Sequence, residues 1–207
     1  KTKNTQLFNN FDILQKSFIK ADIAVSAIPG LAGLKPTLDV IKKTKEILIA
    51  NKETIVCGWD ILKKISVRYN TRINSIDSEH FSIGKLLNTK RIKDVKNVYL
   101  TASGGPFAMH KFSELKKVTP QKAIKHPRWK MGKKISIDSA TMINKVFEII
   151  EAKNIFNIKY NKLSIIIHPK SYVHAIIKLK NGLTKIIVHD TSMKIPIFNS
   201  LYSSEKL

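Results

Sequence analysis

The sequence predicts an α/β fold, and three observations support this prediction. Between residues 21 and 76, short apolar runs alternate with segments of helical periodicity. Each apolar run ends in polar residues, proline or glycine, as buried strands of a parallel sheet do. Further along, Asn181-Gly182 separates two apolar runs, which is typical of a hairpin. We therefore expect a parallel sheet covered by helices, followed by a region that mixes helices and strands.

The first part of the chain has the order β-α-β-α-β. Its first apolar run ends at Pro29-Gly30, and a helix with Pro36 in its first turn follows. The predicted strands are 22–28, 46–50 and 72–76, and the predicted helices are 36–45 and 55–69. Ligands gather at the carboxyl ends of parallel strands, so position favours a functional role for the polar residues that follow the second and third strands.

The second part of the chain is less regular. A strand that runs into Ser103-Gly104-Gly105 is followed by a basic stretch that contains proline. A helix then begins at Ser139, a residue type favoured as an N-cap. The predicted strands are 98–102, 163–167, 173–179 and 183–188, and the predicted helix is 139–152.

The composition restricts the classes of function. Lys and Arg number 37 against 15 Asp and Glu, and a net charge of +22 would ordinarily suggest nucleic acid or anionic membranes as partners. The excess is spread along the chain, mostly as Lys beside abundant Ile and Asn, so we attribute it to genome composition and expect no nucleic-acid partner. No apolar run reaches the roughly 18 residues of a membrane span, so we expect no membrane partner. The lone Cys57 fits a reducing compartment, and we expect a small buried side chain there.

Two carboxylates follow the third predicted strand. Asp77 and Glu79 are two residues apart at an extended strand end, so both side chains can face one point. Hard oxygen ligands of this kind suit Mg²⁺ or Mn²⁺. Taken alone, this spacing is also common in surface loops that bind no ion.

A third carboxylate lies on the predicted helix. Asn144, Lys145 and Glu148 share one helical face, which carries an amide, an ammonium and a carboxylate. Ser139 at the helix N-terminus and Ser103 ahead of two glycines add hydroxyl and backbone N–H groups suited to an anion. These residues suggest a phosphate pocket, with helix capping and an i,i+3 salt bridge as the alternative explanation.

The stretch His126-Pro-Arg-Trp-Lys-Met-Gly132 combines large apolar side chains with basic residues, proline and glycine, and it has no periodicity. A core helix is not built in this way. Trp129 and Met131 on such a loop suggest a lid at about 125–133 that closes over substrate and excludes water. A structural loop that packs its tryptophan on the core is the alternative.

Several motifs occur in the order and spacing of one enzyme family. They are Ala50-Asn-Lys-Glu53, Asp77-Ser-Glu-His80, Ala102-Ser-Gly-Gly-Pro-Phe107, His126-Pro-Arg-Trp-Lys-Met-Gly132, Asp138-Ser-Ala-Thr-Met-Ile-Asn-Lys145, Glu151-Ala152 and Ile167-His168-Pro169. From about residue 21 to 197 the chain resembles the 1-deoxy-D-xylulose-5-phosphate reductoisomerases. The resemblance implies the later part of a Rossmann-like NADPH-binding domain at 1–76, followed by an α+β catalytic domain with a lid loop at 77–207.

The resemblance also implies roles for individual residues. The implied metal ligands are Asp77, Glu79 and Glu148, and the implied catalytic groups are Lys52, Glu79, His126 and Glu148. The implied substrate contacts are Ser103, Ser139, Asn144 and Lys145 to the phosphate, and Lys52, Ser78, Glu79, His126 and Glu148 to the remainder, with Trp129 and Met131 in the lid. The implied NADPH contacts are Asn51, Glu53, Gly132 and Met193.

The activity implied by the resemblance is an isomerisation followed by a reduction. It converts 1-deoxy-D-xylulose 5-phosphate to 2-C-methyl-D-erythritol 4-phosphate in the non-mevalonate isoprenoid pathway. The implied cofactors are NADPH and Mn²⁺, Mg²⁺ or Co²⁺, where the cation polarises substrate oxygens and NADPH supplies hydride. The implied partners are a sugar-phosphate substrate and a second copy of the chain, and the implied location is a bacterial cytoplasm or the plastid stroma.

The chain also departs from the family. Family members begin with a strand and a Gly-rich loop that binds the cofactor pyrophosphate, and they end with a helical domain. The chain shows neither and begins with Lys1 rather than Met, so we expect a fragment that is not a competent enzyme alone, from a gene product that is. Val146 replaces the usual Gly and would crowd the substrate pocket. Asp190-Thr191-Ser192 lacks the usual Pro-Asp step, which affects the expected nicotinamide contact of Met193.

Two alternatives belong to other functional classes. An inactive remnant, or a basic nucleic-acid-binding protein, would show no NADPH oxidation, and the retention of all three carboxylates argues against decay. A different metal-dependent phosphotransfer or phosphatase fold would be supported only if NADPH failed to bind.

Overall fold

The structure, a computed structural model, describes residues 5–8, 11, 20–87, 92–125 and 132–202. They divide into two compact units, Lys1–Asn74 and Ser75–Leu207. The described residues form two β-sheets, one of three strands and one of four. Among the described residues, no helix has the length and apolar character to cross a membrane.

The first unit contains the three-stranded sheet. Its strand order is β1-β2-β3, and β1 and β2 run parallel, with Val25 opposite Leu48. The strands are β1 (Ala21–Ser26), β2 (Thr44–Ile49) and β3 (Arg72–Ser75), and the α-helices are α1 (Leu34–Val40) and α2 (Lys52–Tyr69), with short 3₁₀ turns at Leu31–Gly33 and Ile41–Lys43. The predicted order of strands and helices is therefore the observed one.

Helix α2 shows how the sequence sets its limits. Asn51 precedes the helix in extended conformation, and its side chain accepts a hydrogen bond from the Thr54 N–H, as an N-cap does. The helix ends at Tyr69, and Asn70 follows it in the left-handed conformation that Asn tolerates. Apolar burial on one face anchors α2 to its unit. Cys57 is exposed on the helix, so the expectation that it is buried is wrong: it lies off the apolar face.

The second unit contains the four-stranded sheet, with strand order β5-β4-β6-β7. Strand β4 is parallel to β5 and antiparallel to β6, and β6 is antiparallel to β7. Asn181-Gly182 forms the turn of the β6–β7 hairpin, where Gly182 has a φ of 89°. The strands are β4 (Val95–Ala102), β5 (Leu163–Ile167), β6 (Val173–Leu179) and β7 (Thr184–Val188).

The helices of the second unit include the two that carry the predicted site. They are α3 (Ser78–Leu87), α4 (Phe112–Leu115), α5 (Pro120–Ala123), α6 (Lys133–Ala140), α7 (Ile143–Phe156) and α8 (Lys194–Leu201). Ile83 of α3 and Ala152 of α7 belong to one buried apolar cluster with Leu100 and Ile177 of the sheet. This shared core fixes the two helices relative to the strand ends.

The predicted helix start at Ser139 is wrong. Ser139 lies in the last turn of α6, and α7 begins only at Ile143. The hydroxyl of Thr141 donates to the carbonyl oxygens of Ile137 and Asp138 at the end of α6. Met142 then takes a left-handed conformation with a φ of 62° and redirects the chain. Neither proline nor glycine marks this break, so the pattern did not reveal it.

Candidate functional site

Three carboxylates meet where β3 passes into α3 and where α7 faces that junction. Oxygen atoms of Asp77, Glu79 and Glu148 all lie within 4.8 Å of one another. The pair does not converge along an extended strand, as the sequence suggested, because α3 begins at Ser78. Instead, Asp77 caps the helix by accepting a hydrogen bond from the Glu79 N–H at 3.3 Å. The structure thus brings the three predicted metal ligands together.

Burial and the neighbouring carboxylates both act on the acidity of Glu79. Burial, together with the nearby charge of Glu148, raises the pKa of Glu79 to about 7, although Lys145 lowers it. A divalent cation would relieve this repulsion, and carboxylate oxygens are the ligands that Mg²⁺ and Mn²⁺ prefer. The donor set therefore fits a hard divalent cation.

Lys145 supplies the cationic partner of the cluster. Its buried ammonium donates to Glu79 Oε1 at 2.7 Å and to the carbonyl oxygen of Thr101 at 2.5 Å, and it lies 2.5 Å from Glu148 Oε2. Burial lowers the pKa of Lys145, but Glu148 and Glu79 more than offset this and raise it above its usual value. The side chain is therefore charged.

A second buried group lies beside the three carboxylates. Ligand atoms of Asp77, His80 and Glu151 also lie within 4.8 Å of one another. His80 and Glu151 are each about 1% exposed, and Ser75 donates to Glu151 Oε1 at 3.3 Å. Neither His80 nor Glu151 was predicted from the sequence to have a role in a site. A signal was present, because Glu151 lies three residues after Glu148 and therefore shares its helical face.

Two of the predicted phosphate residues, Ser103 and Ser139, lie at the loop after β4. Ser103 Oγ accepts a hydrogen bond from the Gly105 N–H at 3.2 Å. A Cβ at Gly105 would lie 2.7 Å from the carbonyl oxygen of Ser139, so this loop passes directly against the end of α6. Asn144, by contrast, donates to Glu148 Oε1 at 2.5 Å and so orients that carboxylate.

Other predicted substrate residues have different surroundings. Ser78 is buried and donates to Glu79 Oε2 at 2.6 Å. Lys52 is buried at the start of α2, in the first unit. Val146 is 46% exposed on α7, and its crowding of the substrate stays a prediction. His126, Trp129 and Met131, and with them most of the predicted lid, lie outside the described residues.

The predicted cofactor residues lie near helix starts. In the first unit, Asn51 caps α2 and Glu53 occupies its first turn. In the second unit, Gly132 precedes α6 in extended conformation, and no described residue lies within 4 Å of where its Cβ would stand. Met193 precedes α8 and is 36% exposed. Helix starts present free N–H groups, which suits an anionic ligand.

Two family models match the chain, and together they cover more than half of it. The model of the 1-deoxy-D-xylulose 5-phosphate reductoisomerase C-terminal domain matches residues 73–156, and the model of 1-deoxy-D-xylulose 5-phosphate reductoisomerase matches residues 5–58. The chain belongs to this family. The family suggested by the motifs is therefore confirmed.

Individual reductoisomerases agree with this assignment. The enzyme of Pelagibacter ubique is 56% identical over 205 residues, which are 98% of this chain and 53% of that protein. The enzyme of Clostridium novyi is 44% identical over 178 residues, 86% of this chain and 46% of that protein. The chain thus spans about half the length of the curated relatives it matches.

Solved structures confirm the α/β fold class. A DOX-P reductoisomerase in complex with NADPH, fosmidomycin and magnesium has a TM-score of 0.84 at 34% identity, over 93% of this chain and 49% of that one. The reductoisomerase of Zymomonas mobilis in complex with NADPH has a TM-score of 0.83 at 36% identity, over 92% of this chain and 49% of that one.

Proposed function

We propose that this chain is part of an enzyme that converts 1-deoxy-D-xylulose 5-phosphate to 2-C-methyl-D-erythritol 4-phosphate, with NADPH and a divalent cation, in the non-mevalonate isoprenoid pathway. One observation carries the proposal. Asp77, Glu79 and Glu148 converge within 4.8 Å in a chain that belongs to the reductoisomerase family. Related structures contain NADPH and magnesium, which agrees with both proposed cofactors.

The metal would be held by Asp77, Glu79 and Glu148, with Mn²⁺, Mg²⁺ or Co²⁺ as candidates. A bound cation supplies Lewis acidity to the hydroxyl and carbonyl oxygens of the substrate. The residues of the chain position those ligands: Ser78 holds Glu79, and Asn144 holds Glu148, each by a side-chain hydrogen bond. Ligands fixed in this way lose little entropy when the ion enters.

The substrate phosphate would be bound by the loop after β4 and by the helix pair α6–α7. We assign it to Ser103, Ser139, Asn144 and Lys145. Gly105 supports the assignment, because its lack of a Cβ permits the loop to approach the Ser139 backbone. Lys52, Ser78 and His126 would contact the rest of the substrate, and Trp129 and Met131 would close over it.

NADPH would supply the hydride for the reduction. In the first unit we assign its contacts to Asn51 and Glu53, and in the second to Gly132 and Met193. The proposed cofactor domain is 1–76 and the proposed catalytic domain 77–207, with the lid at about 125–133. We further propose a homodimer located in a bacterial cytoplasm, and the bacterial sources of the relatives above support that location.

The proposal is tested with the intact gene product that contains this chain. NADPH oxidation, followed by loss of its absorbance, should require both the ketose phosphate and Mn²⁺ or Mg²⁺. Glu148→Gln keeps the shape of the side chain but removes a charge from the metal site, so turnover should fall by about a thousandfold or more, with the circular dichroism spectrum unchanged. Asp60→Asn, a matched charge removal on the exposed face of α2, should leave turnover as in the wild type.

Two results would contradict the proposal. Glu148→Gln with the turnover of the wild type would refute the metal assignment. A folded intact protein that oxidises no NADPH with any of the three cations, but binds RNA in a salt-sensitive manner, would support the alternative of a basic nucleic-acid binder.

A further inference from the structure

We propose that the side chain of Asn51 is a positioning group for the cofactor site: its amide holds the loop at 28–33 in the shape that NADPH requires, so the contact with NADPH assigned to Asn51 above is left to its backbone. This inference rests on the proposed function and refines it. It concerns residues of the first unit alone, namely the loop that follows β1 and the start of α2.

The side-chain amide of Asn51 is fully engaged within the protein. The side chain is 4% exposed, and its Nδ2 donates to the carbonyl oxygen of Ile28 and, at 2.7 Å, to that of Gly30. Its Oδ1 accepts from the Thr54 N–H at 3.0 Å. A primary amide has two protons to donate, and both are used. None remains for an acceptor on a cofactor.

Helix capping alone does not explain an asparagine here. Asp, Ser and Thr cap a helix about as well, because the cap needs only an oxygen acceptor. The two donations to Ile28 and Gly30 need an N–H₂ group, which those residues lack. The contacts to the loop therefore account for the choice of residue.

Gly33 is the counterpart of Asn51. A Cβ at position 33 would collide with Asn51 Nδ2 and would lie 2.5 Å from the carbonyl oxygen of Ile28. The Gly33 N–H donates to the Gly30 carbonyl at 3.2 Å and closes the turn, and Gly30 itself has a φ of 70°. The loop thus depends on the amide at 51 and on the absence of a side chain at 33.

The position of this pair agrees with a ligand site. The loop follows the carboxyl end of β1, Asn51 follows that of β2, and these strands are parallel neighbours. The Ala50 N–H donates to the Ser26 carbonyl at 2.9 Å, which joins the two strand ends. Ligands of open α/β sheets bind at this edge. Leu31 on the loop is 62% exposed, as expected of a side chain that a bound molecule would cover.

The central variant is Asn51→Asp in the intact gene product. Aspartate retains the acceptor for Thr54 and hence the cap, but it replaces the donor with an oxygen that faces two carbonyl oxygens. Amide hydrogen exchange in 28–33 should accelerate by about tenfold or more, and the Kd of NADPH should rise by about tenfold. Asn70→Asp makes the same chemical change at the opposite end of α2 and should alter neither the hydrogen exchange of the loop nor the Kd of NADPH.

Gly33→Ala provides a second, independent variant, because its methyl group displaces the Asn51 amide. It should produce the same loss of NADPH affinity. The double variant should lose little more NADPH affinity than either single variant, because both substitutions disrupt the same contact between residue 51 and the loop. The KM of the ketose phosphate should change by less than about twofold in all three, which a general loss of structure would not produce.

The inference is overturned if Asn51→Asp leaves loop exchange or the NADPH Kd unchanged, or if the two substitutions are additive. The proposed function fails in a different way, through a wild type that binds no NADPH. In that event the exchange data on Asn51→Asp still decide whether the amide holds the loop.

Discussion

The imidazole Nε2 of His80 lies 2.9 Å from the carbonyl oxygen of Glu148, so the ring joins α3 to α7 beside the carboxylate cluster. Its Nδ1 is 3.5 Å from carboxylate oxygens of Asp77 and Glu151. All these neighbours are acceptors, which favours the ring that carries protons on both nitrogens. Burial lowers the pKa of His80, but Glu151 and Asp77 outweigh it and raise the pKa to about 9.

Replacing His80 by Phe should destabilise the metal-free protein by about 2–4 kcal/mol, because Glu151 loses the cation that faces it while remaining buried. Urea denaturation followed by circular dichroism measures the change. His110→Phe, at an exposed position of the same unit, should cost no more than about 0.5 kcal/mol. Equal losses in the two variants would show that the His80 cation contributes no stability.

The affinity for Mn²⁺ should depend on pH through Glu79. Its pKa of about 7 means that the metal-free site holds a proton below neutrality, and a cation must displace this proton. Affinity should therefore fall by about tenfold for each pH unit below about 7 and level off above it. Electron paramagnetic resonance of free Mn²⁺ measures this directly. Glu79→Gln should bind more weakly and lose the slope; a wild type with a flat profile would contradict the assignment.

Gly105→Ala should weaken binding of the phosphate, since the added methyl group would meet the Ser139 carbonyl oxygen at 2.7 Å and push the loop away. We expect the KM of the ketose phosphate to rise by about tenfold or more and stability to fall by about 1–3 kcal/mol. Gly182→Ala is the control. Gly182 also has a positive φ, but no described residue lies within 4 Å of where its Cβ would stand. It should cost about 1 kcal/mol and leave KM unchanged. Similar KM values in both variants would show that the close approach is irrelevant to substrate.

Local signals were sufficient to predict most elements of the fold. Strands β5 and β6 lie where apolar runs placed them, and Asn181-Gly182 forms the predicted turn. These features depend on neighbouring residues alone. The break between α6 and α7 escaped prediction because it arises from the Thr141 side chain and a left-handed Met142, residue types that seldom mark helix ends.

The sequence pointed to the candidate residues of the site but not to the contacts between them. Residue type and spacing made Asp77, Glu79 and Glu148 candidates, and the family resemblance implied that they form one ligand set. The contacts of Lys145 with Glu79 and of Ser75 with Glu151, by contrast, join residues 66 and 76 positions apart. Such contacts depend on how α3 and α7 pack on the sheet, which no local pattern contains. The same reason explains why His80, which appeared only within a motif, had no predicted partner.

Lys145 occupies the position of a counter-ion to the metal ligands, and this leads to two opposite effects of Lys145→Met. Without the ammonium, the negative charges of Asp77, Glu79 and Glu148 are no longer balanced. At a pH high enough to ionise Glu79, Mn²⁺ should therefore bind more tightly and raise Tm more than in the wild type. The KM of the ketose phosphate should instead rise by about tenfold or more, because the phosphate loses a cation.

Calorimetry with and without Mn²⁺, together with steady-state kinetics, separates these two effects of Lys145→Met. Lys153→Met removes an exposed ammonium from the same helix and should change neither quantity. A Mn²⁺-induced shift in Tm smaller than that of the wild type would mean that Lys145 supports the cation rather than competing with it. An unchanged KM would remove Lys145 from the phosphate site. Because the two quantities respond to different ligands, each assignment is tested independently of the other.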